Sequence, residues 1–133
     1  MKNHEIYKCA LHDVVAAYCQ RNNIEYKSLG WVPMRPFTSP DDVFVINGQM
    51  LAIVIARSSS LDIATFRQFE VPELWYWHEE ALFTYCLDDG KYVHTRESWL
   101  LPGLSLARLE QLVIEHVSWP GFPSNVLIRR FFE

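Results

Sequence analysis

The stretch Asp42-Val43-Phe44-Val45-Ile46-Asn47-Gly48-Gln49-Met50-Leu51-Ala52-Ile53-Val54-Ile55-Ala56 decides the fold. Two apolar, β-branched runs, Asp42 to Ile46 and Gln49 to Ala56, flank a single Asn-Gly pair. Asn-Gly suits a type I′ turn, because both central residues of that turn take positive φ. A two-residue loop also fixes the register. Ile46 should therefore face Gln49, Phe44 should face Leu51, and Asp42 should face Ile53. The second run carries no charged residue. A strand of that kind belongs at a sheet centre with both faces buried, so Leu51, Ile53, Val54 and Ile55 are predicted to lie in the core.

The flanking sequence supplies the rest of the sheet and its helices. On the N-terminal side, residues 4–21 place Ile6, Cys9, Ala10, Asp13, Val14, Ala17 and Tyr18 at three- and four-residue steps, which predicts a helix. Ile24 to Trp31 reads as an extended segment broken at Gly30, and Pro33, Pro36 and Pro40 forbid a regular helix up to residue 40. On the C-terminal side, Arg57-Ser58-Ser59-Ser60 is a loop able to cap a short helix over Asp62 to Phe69, with Ile63, Phe66 and Phe69 on one face. Leu74 to His78, Ala81 to Leu87 and Lys91 to Thr95 read as three strands joined by turns at Glu79-Glu80 and Asp88-Asp89-Gly90. Ser105 caps a predicted helix through Val117 with Leu106, Leu109, Leu112, Val113 and His116 on one side, and Asn125 to Phe132 forms a last short helix. This order predicts an α/β (α+β) domain, residues 1–133, built on a mixed sheet flanked by helices.

Composition bounds the function. The chain has 133 residues, 50% of them apolar and 21% charged, which is enough for one packed core and argues against disorder. No apolar run approaches the roughly 20 residues of a membrane helix. The N-terminal residues lack the apolar core of a signal peptide, so a cytoplasmic location is expected. Twelve basic against sixteen acidic residues leave a net charge of −4, a poor footprint for non-specific DNA binding. Cys9, Cys19 and Cys86 are expected to be reduced core thiols. Cys9, His12 and Cys19 share helical spacing, but a fourth zinc ligand is lacking and core packing is the favoured reading. Ser58-Ser59-Ser60 is read as capping chemistry, and His78, His94 and His116 as ordinary surface or half-buried histidines.

Pro40-Asp41-Asp42 at the hairpin mouth is the one constellation with a specific chemical meaning. A carboxylate at a strand start, beside a strand bearing Glu-x-Lys, is how metal-dependent nucleases hold Mg²⁺ and activate water. With these residues in view, the chain resembles the Uma-type family of restriction-endonuclease-like proteins, members of the PD-(D/E)XK nuclease superfamily. The likeness runs in order through His4, Ser28-Leu29-Gly30, Pro40 to Ile46, Ser58 to Asp62, Val71-Pro72-Glu73-Leu74-Trp75, Leu87 to Tyr92, Ser98 and Leu101-Pro102-Gly103-Leu104. It implies a restriction-endonuclease-like fold, a dimer and nucleic-acid chemistry.

The departures from that family bear on the activity. By the resemblance, Gln49 stands where an Asp is expected and Ile53 where a Glu is expected, and the strand offers no carboxylate or lysine in any register. The lysine of the following helix is replaced, since Asp62 is followed by Ile63. Asp41 is the retained catalytic candidate, with Asp42 as its neighbour in any metal site, although successive strand residues should face opposite ways. The expectation is a non-catalytic binding or regulatory protein without a cofactor. The alternatives are a Mg²⁺-dependent endonuclease with ligands drawn from His4, Glu5, Asp41 and Asp62, or a protein-interaction module. Binding is expected at His4, Arg57, Trp75 and Trp77, toward nucleic acid or a protein partner. Aromatic density in residues 74–99 predicts a homodimer that buries at least two of Trp75, Tyr76, Trp77 and Trp99.

Overall fold

In the computed structural model, which describes residues 2–30, 40–55, 63–118 and 124–133, the hairpin forms in the expected register. Strand β2 (Asp42–Ile46) pairs antiparallel with β3 (Gln49–Ile55), with Asp42 opposite Ile53, Phe44 opposite Leu51 and Ile46 opposite Gln49. Asn47 has φ 49° and Gly48 φ 80°, as a type I′ turn demands. Before them come α1 (Lys2–Arg21) and the short β1 (Tyr26–Ser28), which pairs with β2 along the sheet edge. After them come α2 (Ile63–Gln68), β4 (Glu73–His78), β5 (Ala81–Asp88), β6 (Lys91–Thr95), α3 (Leu106–Ser118) and α4 (Ser124–Phe131).

The six strands form one mixed sheet in chain order. Every pairing is antiparallel except β3 with β4, where the segment containing α2 carries the chain over. The β4–β5 turn places Glu79 and Glu80 at φ 49° and 60°, so two side-chain-bearing residues occupy the left-handed region there. Strands alternate their side chains between two faces. Helices α1, α3 and α4 pack on the face presenting Phe44, Ile46, Leu51, Ile53, Ile55, Trp75 and Trp77. The opposite face holds a smaller cluster of Ala52, Phe66, Val71 and Leu74, to which α2 contributes Phe66. No helix among the described residues is long and apolar enough to cross a membrane.

Several expectations change. Leu51, Ile53 and Ile55 are buried, but Val54 is only half-buried, because its face carries the smaller cluster. The buried stripe of α1 is Ala10, Leu11, Val14, Val15 and Cys19, whereas Ile6 and Cys9 are exposed. Helix α1 touches both the sheet and the α3–α4 pair, so its apolar face widens and turns toward Leu11 and Val15. Cys9 is therefore not a core thiol, while Cys19 and Cys86 are. Phe69 falls in the turn after α2 and is exposed, while Phe66 of that helix reaches the core. Arg108 N–H donates to Ser105 Oγ at 3.3 Å, the cap expected for α3.

The largest correction concerns the aromatics. Trp75, Tyr76 and Trp77 are 0%, 6% and 2% exposed within one chain, so they fill the core instead of forming a binding or dimer surface. Strand β4 lies inside the sheet beside β3, and Trp77 packs against Tyr7 of α1 with ring centroids 4.9 Å apart. Of the four rings, only Trp99, at 51% exposure, is available to a partner.

Gly48→Val should destabilise the protein by about 1 kcal/mol or more, since a β-branched residue resists positive φ. Nothing lies within 4 Å of the position a Cβ would take, so the cost is one of backbone conformation alone. Gly48→Asn should recover most of the loss, because Asn tolerates this region. Urea unfolding of the two variants beside the parent checks both statements.

Candidate functional site

Asp41 precedes β2, and its backbone continues the ladder by donating N–H to the Ile53 carbonyl at 2.8 Å. Its carboxylate has two partners: Oδ2 accepts Ile55 N–H at 2.6 Å, and Oδ1 lies 2.8 Å from His4 Nε2. Asp42 is 1% exposed. Its Oδ2 lies 2.6 Å from His12 Nδ1, and its Oδ1 accepts the N–H of Val43 at 3.0 Å. The His12 ring also packs on Phe44, with centroids 4.9 Å apart. Two histidines of α1 thus meet two successive aspartates at the hairpin mouth.

The aspartates do not diverge to opposite faces as strand alternation alone suggests, because Asp41 lies just outside the strand. Both turn toward α1, but to different points. His4 and His12 are eight residues apart on one helix, about 12 Å along its axis at 1.5 Å per residue. Mg²⁺ requires several oxygen ligands around one centre. Here the four carboxylate oxygens are each engaged by an imidazole or a backbone amide, and the neighbouring strand offers Ile53 and Ile55. Among the described residues no three His, Cys, Asp or Glu side chains are grouped to hold a metal ion. The residues do not fit Mg²⁺, and no hydrolytic step follows from them.

The remaining candidates scatter. Glu5 is exposed on α1. Cys9 is exposed and Cys19 is buried, and they do not group with His12 as a metal site; burial raises the Cys19 thiol above its ordinary pKa. Arg57, the serine triplet 58–60 and Asp62 lie outside the described residues. His4 is brought to Asp41, while Trp75 and Trp77 belong to the core.

Glu73 is the polar centre that sequence reasoning missed. It is fully buried at the start of β4. Oε2 accepts from Trp75 Nε1 at 2.7 Å and from Ser98 Oγ at 2.6 Å. Oε1 accepts the N–H groups of Trp99 and Leu100, both at 2.8 Å, and the Cys86 thiol points to it at 3.7 Å. A buried carboxylate is tolerable when this many donors face it. The network ties the loop after β6 to the sheet interior. Burial pushes the Cys86 thiol up to about 11, and the adjacent Glu73 charge contributes in the same direction.

Two outcomes follow from these buried groups. His12→Ala leaves the Asp42 charge buried with only one donor and should cost about 3 kcal/mol, whereas His4→Ala should cost about 1 kcal/mol, because Asp41 is partly solvated. Chemical denaturation of the two variants distinguishes these values. The Cys86 thiol stays protonated in the folded chain up to about 11, against an ordinary value of 9.0. The unfolded chain therefore binds fewer protons in that window, so stability contributed by Cys86 is complete below pH 9 and falls toward pH 11. The loss is about 2 to 3 kcal/mol at most. Cys86→Ala should flatten that part of a stability–pH profile.

No known family model, curated protein or solved structure matches this chain.

Proposed function

We propose that this chain is a nuclease-fold protein without cleavage chemistry, acting as a non-catalytic binding or regulatory protein in the cytoplasm. The observation that carries the reading is the hairpin mouth. Asp41 and Asp42 are held by His4, His12 and backbone amides, beside a strand whose nearest side chains are Ile53 and Ile55. A carboxylate pair arranged this way fastens α1 to the sheet. A nuclease centre would instead leave those oxygens facing a common cation. The net charge of −4 supports a protein partner over non-specific contact with nucleic acid.

Homodimerisation belongs to the same proposal, with its surface moved away from β4. Trp99 and Val93, 51% and 38% exposed, are the large apolar groups on and just after edge strand β6. Sedimentation equilibrium of the parent and Trp99→Ser tests this: the proposed dimer should weaken in the variant.

Incubation of the purified chain with duplex DNA and either Mg²⁺ or Mn²⁺ should give no cleavage. Gln49→Asp, Ile53→Glu and Ile55→Lys together should also fail to restore an enzyme, because the charges at 53 and 55 enter buried positions. Cleavage by the parent chain that disappears in Asp41→Ala would establish the competing reading, an endonuclease with relocated ligands.

A further inference from the structure

Strand β5 is longer than its outer neighbour. The β5–β6 ladder runs from Asp88 opposite Lys91 to Thr84 opposite Thr95, so Ala81 to Phe83 continue past the end of β6. In an ordinary sheet edge, these residues would present unpaired amides. Here Glu110 of α3 reaches across, and its Oε2 accepts the N–H of Leu82 at 2.7 Å. Beside this contact lies a cleft of about 340 Å³, lined by Leu82, Thr84, Thr95, Arg96, Leu106 and Glu110 among others. That volume falls within the range of small-molecule sites.

The cleft combines one arginine, one glutamate and an aliphatic wall, with Phe83 and His94 also in its lining. Arg96 and Glu110 both line it, yet the two form no ion pair with each other. Glu110 is oriented by the Leu82 amide through one oxygen, which leaves Oε1 for another donor. Leu82 and Leu106 supply apolar surface. A purely anionic guest would meet the Glu110 charge, and a purely cationic one would meet Arg96. An added peptide strand would have to displace the Glu110 carboxylate from the one amide it already satisfies.

We propose that this cleft is a binding site for a small zwitterion with an aliphatic side chain, the chemistry of a free apolar α-amino acid. Its carboxylate pairs with Arg96, its ammonium with Glu110, and its side chain lies on Leu82 and Leu106. The site is independent of the nuclease-fold reading, because none of these residues belongs to the hairpin mouth.

Amide-resolved NMR titration of the full chain with L-leucine tests the assignment. Two analogues serve as probes: leucinamide, which lacks the carboxylate, and 4-methylpentanoate, which lacks the amine. Leucine should shift the amides of Leu82, Thr84, Thr95 and Ala107 and saturate. Each analogue should bind at least about tenfold more weakly, as loss of one charge-assisted contact implies. Arg96→Gln should weaken leucine but not leucinamide. Glu110→Gln, whose side-chain carbonyl still accepts the Leu82 amide, should weaken leucine but not 4-methylpentanoate. The exposed Arg96 position keeps the test decisive if the Glu110 variant folds poorly. Saturating shifts elsewhere, no shifts, equal binding of all three probes, or indifference to Arg96→Gln would each overturn the proposal.

Discussion

The burial of β3 is the constraint on which the rest of the structure depends. The strand lies between an antiparallel neighbour, β2, and a parallel one, β4, and Leu51, Ala52, Ile53 and Ile55 are at most 5% exposed. A parallel partner requires a crossover, and helices must then cover the sheet. Here α1, α3 and α4 cover one face, while Phe66 of α2 packs against the other. The same constraint bears on the residues beside Asp42. A carboxylate or ammonium at position 53 or 55 would enter the interior of this sheet, where a charge without a partner is costly. Apolar packing and a metal-binding strand are competing uses of the same positions, and this sequence adopts the first.

Three buried or half-buried carboxylates then fasten distant segments together. Asp42 holds α1 through His12, Glu73 holds the loop after β6 through the Trp99 and Leu100 amides, and Glu110 holds α3 to the overhang of β5. Each joins segments more than 20 residues apart in sequence. In each case, removing the acceptor would leave buried or edge amides unsatisfied, a larger effect than the net worth of an ordinary hydrogen bond. Polar contacts of this kind fix which helix lies over which strand, a choice that non-directional apolar burial leaves open.

The legible parts of the sequence were those governed by local chemistry. Asn47-Gly48 set the hairpin register residue by residue, Ser105 marked the start of α3, and the apolar spacing of Leu106, Leu109, Leu112 and Val113 gave its buried face. What failed depended on tertiary placement. Periodicity in α1 fitted more than one phase, and contact with both the sheet and the helix pair chose the phase containing Leu11 and Val15. Trp75 and Trp77 looked like surplus aromatics because strand order was unknown; an interior position for β4 makes them core. Asp41 and Asp42 were found by their position at the strand mouth, but their histidine partners are far away in sequence. Glu73 left one signal: a charge inside the run Val71 to Trp77, which is otherwise apolar apart from Pro72.

The sheet register relates the hairpin mouth to the cleft beneath α3. Asp42, Ile53, Trp75, Thr84 and Thr95 form one cross-strand row from β2 to β6. Asp42 stands at one end, and Thr84 and Thr95 line the cleft at the other. Three strand spacings separate Asp42 from Thr84, about 14 Å. Ile53 and Trp75 fill the intervening positions, 1% and 0% exposed, and close the interior between the two ends. In open α/β sheets, ligands gather outside the carboxyl ends of parallel strands. Here the parallel pair is β3 and β4, and its carboxyl end is capped by apolar and aromatic bulk: Ile55 pairs with Trp77, which packs against Tyr7. Polar groups remain at the sheet's two margins, where the His–Asp contacts already satisfy one and the Arg96–Glu110 cleft leaves the other open.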